Sequence, residues 1–173
     1  MTDTQFHGAQ FWPLPDEPRG GGWNNRYFID TEFTDFHQCQ LISLAVVGEN
    51  GYEFYGERTD FDDALCSDFV RAVVLPQLGR VAGCAMSFAQ LREALRAWLG
   101  GIPGQSAPVL CYDYETDLNL FRYLLGSPLP PGWRAANIAG ERNRDRRAAY
   151  YAKHGGEHHA LHDARANAYA CAG

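Results

Sequence analysis

Long apolar runs are missing from this chain of 173 residues. No stretch approaches the roughly 18 consecutive apolar residues that a membrane-spanning helix needs, and no apolar core of a secretory leader stands at the N-terminus. Paired cysteines are missing as well. Cys39, Cys66, Cys84, Cys111 and Cys171 are odd in number and scattered, with no C-x-x-C among them. That speaks against a disulfide framework or a zinc site and leaves reduced core thiols of a cytoplasmic protein as the expectation. A surplus of positive charge is the third absence. The formal net charge is −6, which argues against coating nucleic acid by bulk electrostatics. Cations held by clustered carboxylates can meet phosphates instead.

What remains is the composition of a globular domain, 46% hydrophobic with a mean hydropathy of −0.36. No internal repeat or second domain is visible. Residues 1–24 include "FWPLPDEPRGGGWNN", whose Pro and Gly content predicts a loosely ordered arm, and residues 25–173 are expected to form one domain. "RYFID" reads as a short strand, and "CQLISLAVVG" joins "YEFYGE" through an Asn-Gly turn to make a hairpin. "DDALCSDFVRAVVLP" predicts a helix with Ala64, Leu65, Phe69, Ala72 and Val73 on one face, ended by Pro76. "SFAQLREALRAWLGG" begins with Ser87 and Gln90 at capping-box spacing. "PVLCY" is a buried strand, "DLNLFRYLLG" a helix stopped at Gly126, and "HHALHDARANAYACA" the last helix, with another in the basic segment before it. These elements predict an α/β domain, a mixed β-sheet flanked by α-helices.

Two acids interrupt that pattern. Asp30 and Glu32 stand two apart at the end of "RYFIDTEF", so on a regular strand they share a face and repel unless water or a cation lies between them. "DYE" at Asp113 to Glu115 is a second D-x-E, and Asp117 opens the run Leu118, Phe121, Leu124, Leu125. Each acid has an ordinary reading alone: a solvated strand end, or a helix terminus favourable to negative charge. In "EHHALHDARANA", His158 and Asp163 are five apart, about 140° around a helix. Gly155-Gly156 therefore places His158 on a loop or first turn, with Asp163 inside the helix. His158 and His162 are spaced as in H-E-x-x-H zinc proteases, but His159 stands where the general-base Glu is required, so that motif fails. His159 and His162 are expected in solvent or behind the site. Between Arg134 and Lys153, six basic residues face only Glu141 and Asp145, either as a solvated helix face or as a phosphate-contacting patch.

Taken in order, "FIDTEFT", "YDYETDLNLFRYLLG" and "HHALHDARA" resemble the three motifs of the DEDDh 3′-5′ exonucleases of the ribonuclease H-like superfamily, which includes ribonuclease T and oligoribonuclease. The resemblance is nearest to the small bacterial exoribonuclease-like domain first recognised in mycobacteria, and it runs from about Arg26 to the end. It implies a ribonuclease H-like fold with Asp30, Glu32, Asp117 and Asp163 as metal ligands and His158 as general base. Asp117 is preferred to Asp113 for the second motif because the family's Asp precedes an apolar helical run ending near a Gly. Asp113 and Glu115 depart from the family pattern and are expected either to tune the site or to face solvent.

The implied chemistry is hydrolysis with two Mg²⁺ or Mn²⁺ ions, releasing nucleoside 5′-monophosphates from an RNA 3′ end. Phe33 and Phe36 either stack on the terminal base or pack at the rim. Single-stranded DNA is the alternative substrate, and an inactive binding module is the alternative of another class. No membrane partner is expected, and a homodimer is left open.

Overall fold

The computed structural model describes residues 25–49, 51–102 and 107–172. The expected N-terminal arm and Asn50 of the expected turn lie outside them. Strand β1 (Arg26–Phe33) pairs antiparallel with β2 (Leu41–Gly48), which pairs antiparallel with β3 (Glu53–Arg58). The two-residue β4 (Ala85–Met86) extends that edge, while β5 (Val109–Tyr112) and β6 (Arg134–Asn137) run parallel to β1 on its other side. The order across this mixed sheet is β4-β3-β2-β1-β5-β6. β4 and β6 were not expected, because "AM" and "RAAN" are too short and too little buried to carry a strand pattern.

Both faces of the sheet are covered. Every residue of β2 is buried, which explains its nearly continuous apolar run. Tyr27 and Ile29 of β1 point into a core with Leu91, Leu95 and Leu99 of helix α1 (Phe88–Gly101) and Leu118, Phe121 and Leu124 of α2 (Glu115–Leu125). Phe28 points the other way, onto Ala160, Ala164 and Ala168 of α4 (Ala160–Cys171). Those alanines recur every fourth residue, so one smooth stripe lies against the strands. Helix α3 (Arg144–His154) packs beside α4.

Local signals act where expected at two ends. Ser87 and Gln90 close a capping box at the start of α1, and Gly126 ends α2 with φ +67, a left-handed conformation that glycine adopts without strain.

Residues 62–78 differ from the single helix expected there. They form a 3₁₀ turn (Asp63–Leu65), a π turn (Val70–Val74) and another 3₁₀ turn (Leu75–Gln77). The buried residues are Cys66, Val70 and Val74, packed on Ile42 of β2, whereas Ala64, Phe69 and Ala72 are exposed. Pro76 lacks an N–H and would press its ring on the carbonyl four residues back in a regular helix. The chain widens before it instead. The cysteines also depart from expectation: Cys66 and Cys111 are buried, but Cys39 is exposed. Among the described residues no helix is long and apolar enough to cross a membrane.

Gly56 marks where α1 comes closest to the sheet. A Cβ there would lie 2.2 Å from Leu91 Cδ1 and 3.0 Å from Met86 Cε. Gly56→Ala should therefore cost about 1–3 kcal/mol of stability in urea unfolding, and the loss should shrink when Leu91→Ala removes the clashing methyl. Equal losses in both backgrounds would disprove the contact as the cause.

Candidate metal centre

β1 and β5 stay paired only as far as Phe28 and Cys111. Beyond that point β5 ends and the chain turns into α2, leaving the C-terminal half of β1 paired only with β2. Such a crevice at the carboxyl ends of parallel strands is where open α/β sheets bind ligands. Asp113 and Asp117 approach it from the β5–α2 side. Asp163 approaches from α4, because Asp30 and Glu32 share the face of Phe28, which α4 covers.

The result is two groups of three carboxylates that share one member. Asp30, Asp113 and Asp117 each offer an oxygen within 4.8 Å of the others, and so do Asp30, Glu32 and Asp163. Asp117 is fixed to β1 itself: its Oδ1 accepts from the Thr31 amide at 3.1 Å and the Thr31 hydroxyl at 2.6 Å. Asp163 accepts the Tyr151 hydroxyl on Oδ1 and the His158 backbone N–H at 3.1 Å on Oδ2. Asp113 is ion-paired with Arg142 and accepts from Asn167 Nδ2 at 3.3 Å. The structure thus joins the two acids that the sequence set as rivals. Glu115, by contrast, is exposed and accepts the Tyr112 hydroxyl.

Crowding this many buried acids makes their ionisation costly. Burial, then repulsion from Asp163 and Asp117, pushes Glu32 up to about 8. Burial raises Asp117 to about 7, against the opposing hydrogen bonds from Thr31. Burial likewise raises Asp163 to about 6, against the pull of Tyr151 and Arg147. Asp30, shared by both groups, is raised well above the ordinary range by burial and by all four neighbours. The donors are all carboxylate oxygens, without thiolate or imidazole. They fit a hard divalent cation such as Mg²⁺ or Mn²⁺, whose charge relieves the repulsion.

His158 precedes α4 on a loop, as its spacing implied, with φ +64. Its ring meets the edge of Phe69 at 4.9 Å between centroids. The preceding Gly156 has φ +80, and a Cβ there would lie 2.4 Å from the His162 ring. Of the two places expected for His159, solvent or behind the site, it takes the buried one, stacked on Tyr55 at 4.9 Å, with Nε2 at 3.2 Å from the Tyr55 hydroxyl. Burial lowers the pKa of His159 and takes His162 down to about 4. Nothing in the local sequence separates these histidines from a solvated pair, because Tyr55, the partner of His159, lies on β3 and Tyr150, whose hydroxyl is 3.3 Å from His162 Nδ1, lies on α3.

Phe33 and Phe36 stand beside the acids at the end of β1. Phe36 is 67% exposed and lies 5.1 Å from Phe33 and 6.0 Å from Tyr114, itself 53% exposed. Tyr114 was missed in the sequence, where its only signal was its place inside "DYE". The basic segment is neither a plain solvated face nor a uniform patch. Arg142 pairs with Asp113, and Arg147 and Arg146 lie over the rings of Tyr151 and Tyr169, while Arg134 and Arg144 are exposed. Arg165, for its part, forms a two-pronged ion pair with Glu53.

No family model matches the chain. Two proteins from two strains of Mycobacterium tuberculosis, each named 3′-5′ exoribonuclease, are 50% identical to it over 54 residues. The match covers 31% of this chain and 32% of each relative, so the chain spans about a third of the length of the curated relatives it matches. Among solved structures, Pop2p of S. pombe in its Mg²⁺- and Mn²⁺-bound form is similar with a TM-score of 0.53 and 13% identity. That match covers 84% of this chain and 80% of the other. The likeness is one of fold, and the fold is ribonuclease H-like.

The raised carboxyls set a pH dependence. Each holds its proton more tightly folded than unfolded, so the stability these carboxyls contribute falls as pH rises from about 4 through about 8. The lowered His159 and His162 act in the opposite sense below about pH 6.5. The melting temperature of the metal-free protein should therefore drop above about pH 6.5. Asp30→Asn should flatten the profile and raise the melting temperature by a few degrees near pH 8. A profile unchanged by Asp30→Asn in scanning calorimetry would refute the repulsion.

Proposed function

We propose that this chain is a metal-dependent 3′-5′ exoribonuclease that releases nucleoside 5′-monophosphates one at a time from an RNA 3′ end. The observation that carries the reading is Asp30 shared between two carboxylate groups, with the His158 loop tied to one of them through Asp163. The activity for which the mycobacterial relatives are named supports it, as does the fold.

Asp30 would hold both of two divalent ions, Glu32 and Asp163 the first, and Asp117 the second. Bound there, Mg²⁺ or Mn²⁺ would activate a water and neutralise the leaving 3′ oxygen of an in-line displacement. Asp113 is held by Arg142 and Asn167 beside Asp30 and Asp117, within reach of the same cation. His158 takes the proton of the attacking water while the P–O3′ bond breaks and the shortened strand leaves with a 3′ hydroxyl. Its ring stands on a loop and not on a helix face, so it can reach a water that rigidly held acids orient. Phe36 and Tyr114 offer exposed rings on which the terminal base stacks, a contact that every base can make.

The test uses 5′-labelled RNA and single-stranded DNA of the same sequence with Mg²⁺, Mn²⁺ or EDTA. RNA should shorten stepwise from its 3′ end, with nucleoside 5′-monophosphate as product and no cleavage in EDTA. Asp30→Ala should abolish the ladder. Cleavage in EDTA or full activity of Asp30→Ala would sink the metal mechanism, and preference for the DNA strand would replace RNA as the substrate. His158→Ala should lower kcat about 10²–10⁴-fold; unchanged turnover would assign the proton to another group.

A further inference from the structure

His158 sits in an uncommon place for the work assigned to it. A residue with a side chain at φ +64 is in a sparsely populated backbone region and persists where its surroundings impose it. Those surroundings come largely from one other segment. Gln77 ends the 3₁₀ turn Leu75–Gln77, and its Nε2 lies 2.9 Å from the Glu157 carbonyl, 2.9 Å from the His158 carbonyl and 3.2 Å from the Val73 carbonyl. All three partners are acceptors, so the amide nitrogen faces them and its two N–H donors are shared among the three. Phe69, eight residues earlier, brings its ring against the imidazole. Between them Val70 and Val74 are buried on Ile42, which ties the segment to β2. The π turn at Val70–Val74 lies between these two contacts, and such turns gather at functional sites.

We propose that Gln77 is a positioning residue: by clamping the backbone carbonyls of Glu157 and His158 to the Val70–Gln77 segment, it aims the His158 imidazole into the carboxylate cluster. The inference rests on His158 acting as the base. In this role Gln77 acts through the loop. A misplacement of about 1 Å costs on the order of 10²-fold in rate, so the clamp acts on kcat rather than on binding.

Gln77→Met keeps the length and removes both donors, and Gln77→Glu presents a carboxylate to the same carbonyls. Either should lower kcat about 10- to 100-fold with KM nearly unchanged. Placed in a His158→Ala background, Gln77→Met should cost no further rate, because the imidazole it aims is gone. Hydrogen exchange on the metal-free protein should show the His158 amide, which donates to Asp163 Oδ2, losing protection in Gln77→Met. A full second loss in the His158→Ala background, or unchanged exchange, overturns the clamp. If Gln77→Met does not fold, Gln77→Asn, whose amide stops one methylene short, carries the same comparison. If the wild-type chain degrades no RNA, the exoribonuclease reading falls, and the exchange measurement alone still decides whether Gln77 holds the loop.

Discussion

Repulsion among the carboxylates at the end of β1 is the constraint that the rest of the structure accommodates. Asp30 is pressed from both sides, by Asp113 and Asp117 and by Glu32 and Asp163. Left to itself such a cluster spreads apart or takes up protons. It is held because each acid is mounted on an element with a core of its own. β1 is buried on both faces by Tyr27, Phe28 and Ile29, α2 by Leu118, Phe121 and Leu124, and α4 by its alanine stripe. The apolar layers supply the stabilisation against which the acids are brought together.

Hydrogen bonds then set the direction of each carboxylate. Thr31 anchors Asp117 to the strand next to Asp30, Tyr151 and the His158 amide anchor Asp163, and Arg142 with Asn167 anchors Asp113. Positive charge enters from the α3 side, where Arg142 meets Asp113 and Arg147 lies over the Tyr151 ring that backs Asp163. A chain of net negative charge therefore carries its basic segment against its most acidic point. Asp113 is ion-paired with a cation of the chain itself, whereas no ion pair to Glu32 or Asp117 occurs among the described residues.

The loop before α4 obeys the same logic at a smaller scale. Gly155 and Gly156 reverse the chain before α4, and the close approach of His162 leaves no room for a side chain at Gly156. His158 follows in a conformation that its neighbours impose, and His159 turns inward onto Tyr55. Adjacent histidines thus have opposite fates, one on the loop beside Asp163 and one in the core.

Much of this was legible locally. The two-residue period of β1 put Asp30 and Glu32 on one face, the Ser87–Gln90 pair and Gly126 marked helix ends, and the Gly-Gly before "EHHALHD" separated His158 on a loop from Asp163 on a helix. These signals are carried by neighbours in the chain, so a periodicity or a cap suffices to read them. What the tertiary structure decided is the company each group keeps. Thr31 reaches Asp117 across 86 residues, Asp113 joins the acids because β5 stops short of the end of β1, His159 finds Tyr55 on another strand, and the chain before Pro76 widens where a regular helix was expected. Long-range contacts of this kind leave no periodic trace, since the partner that gives each residue its meaning lies on a different element.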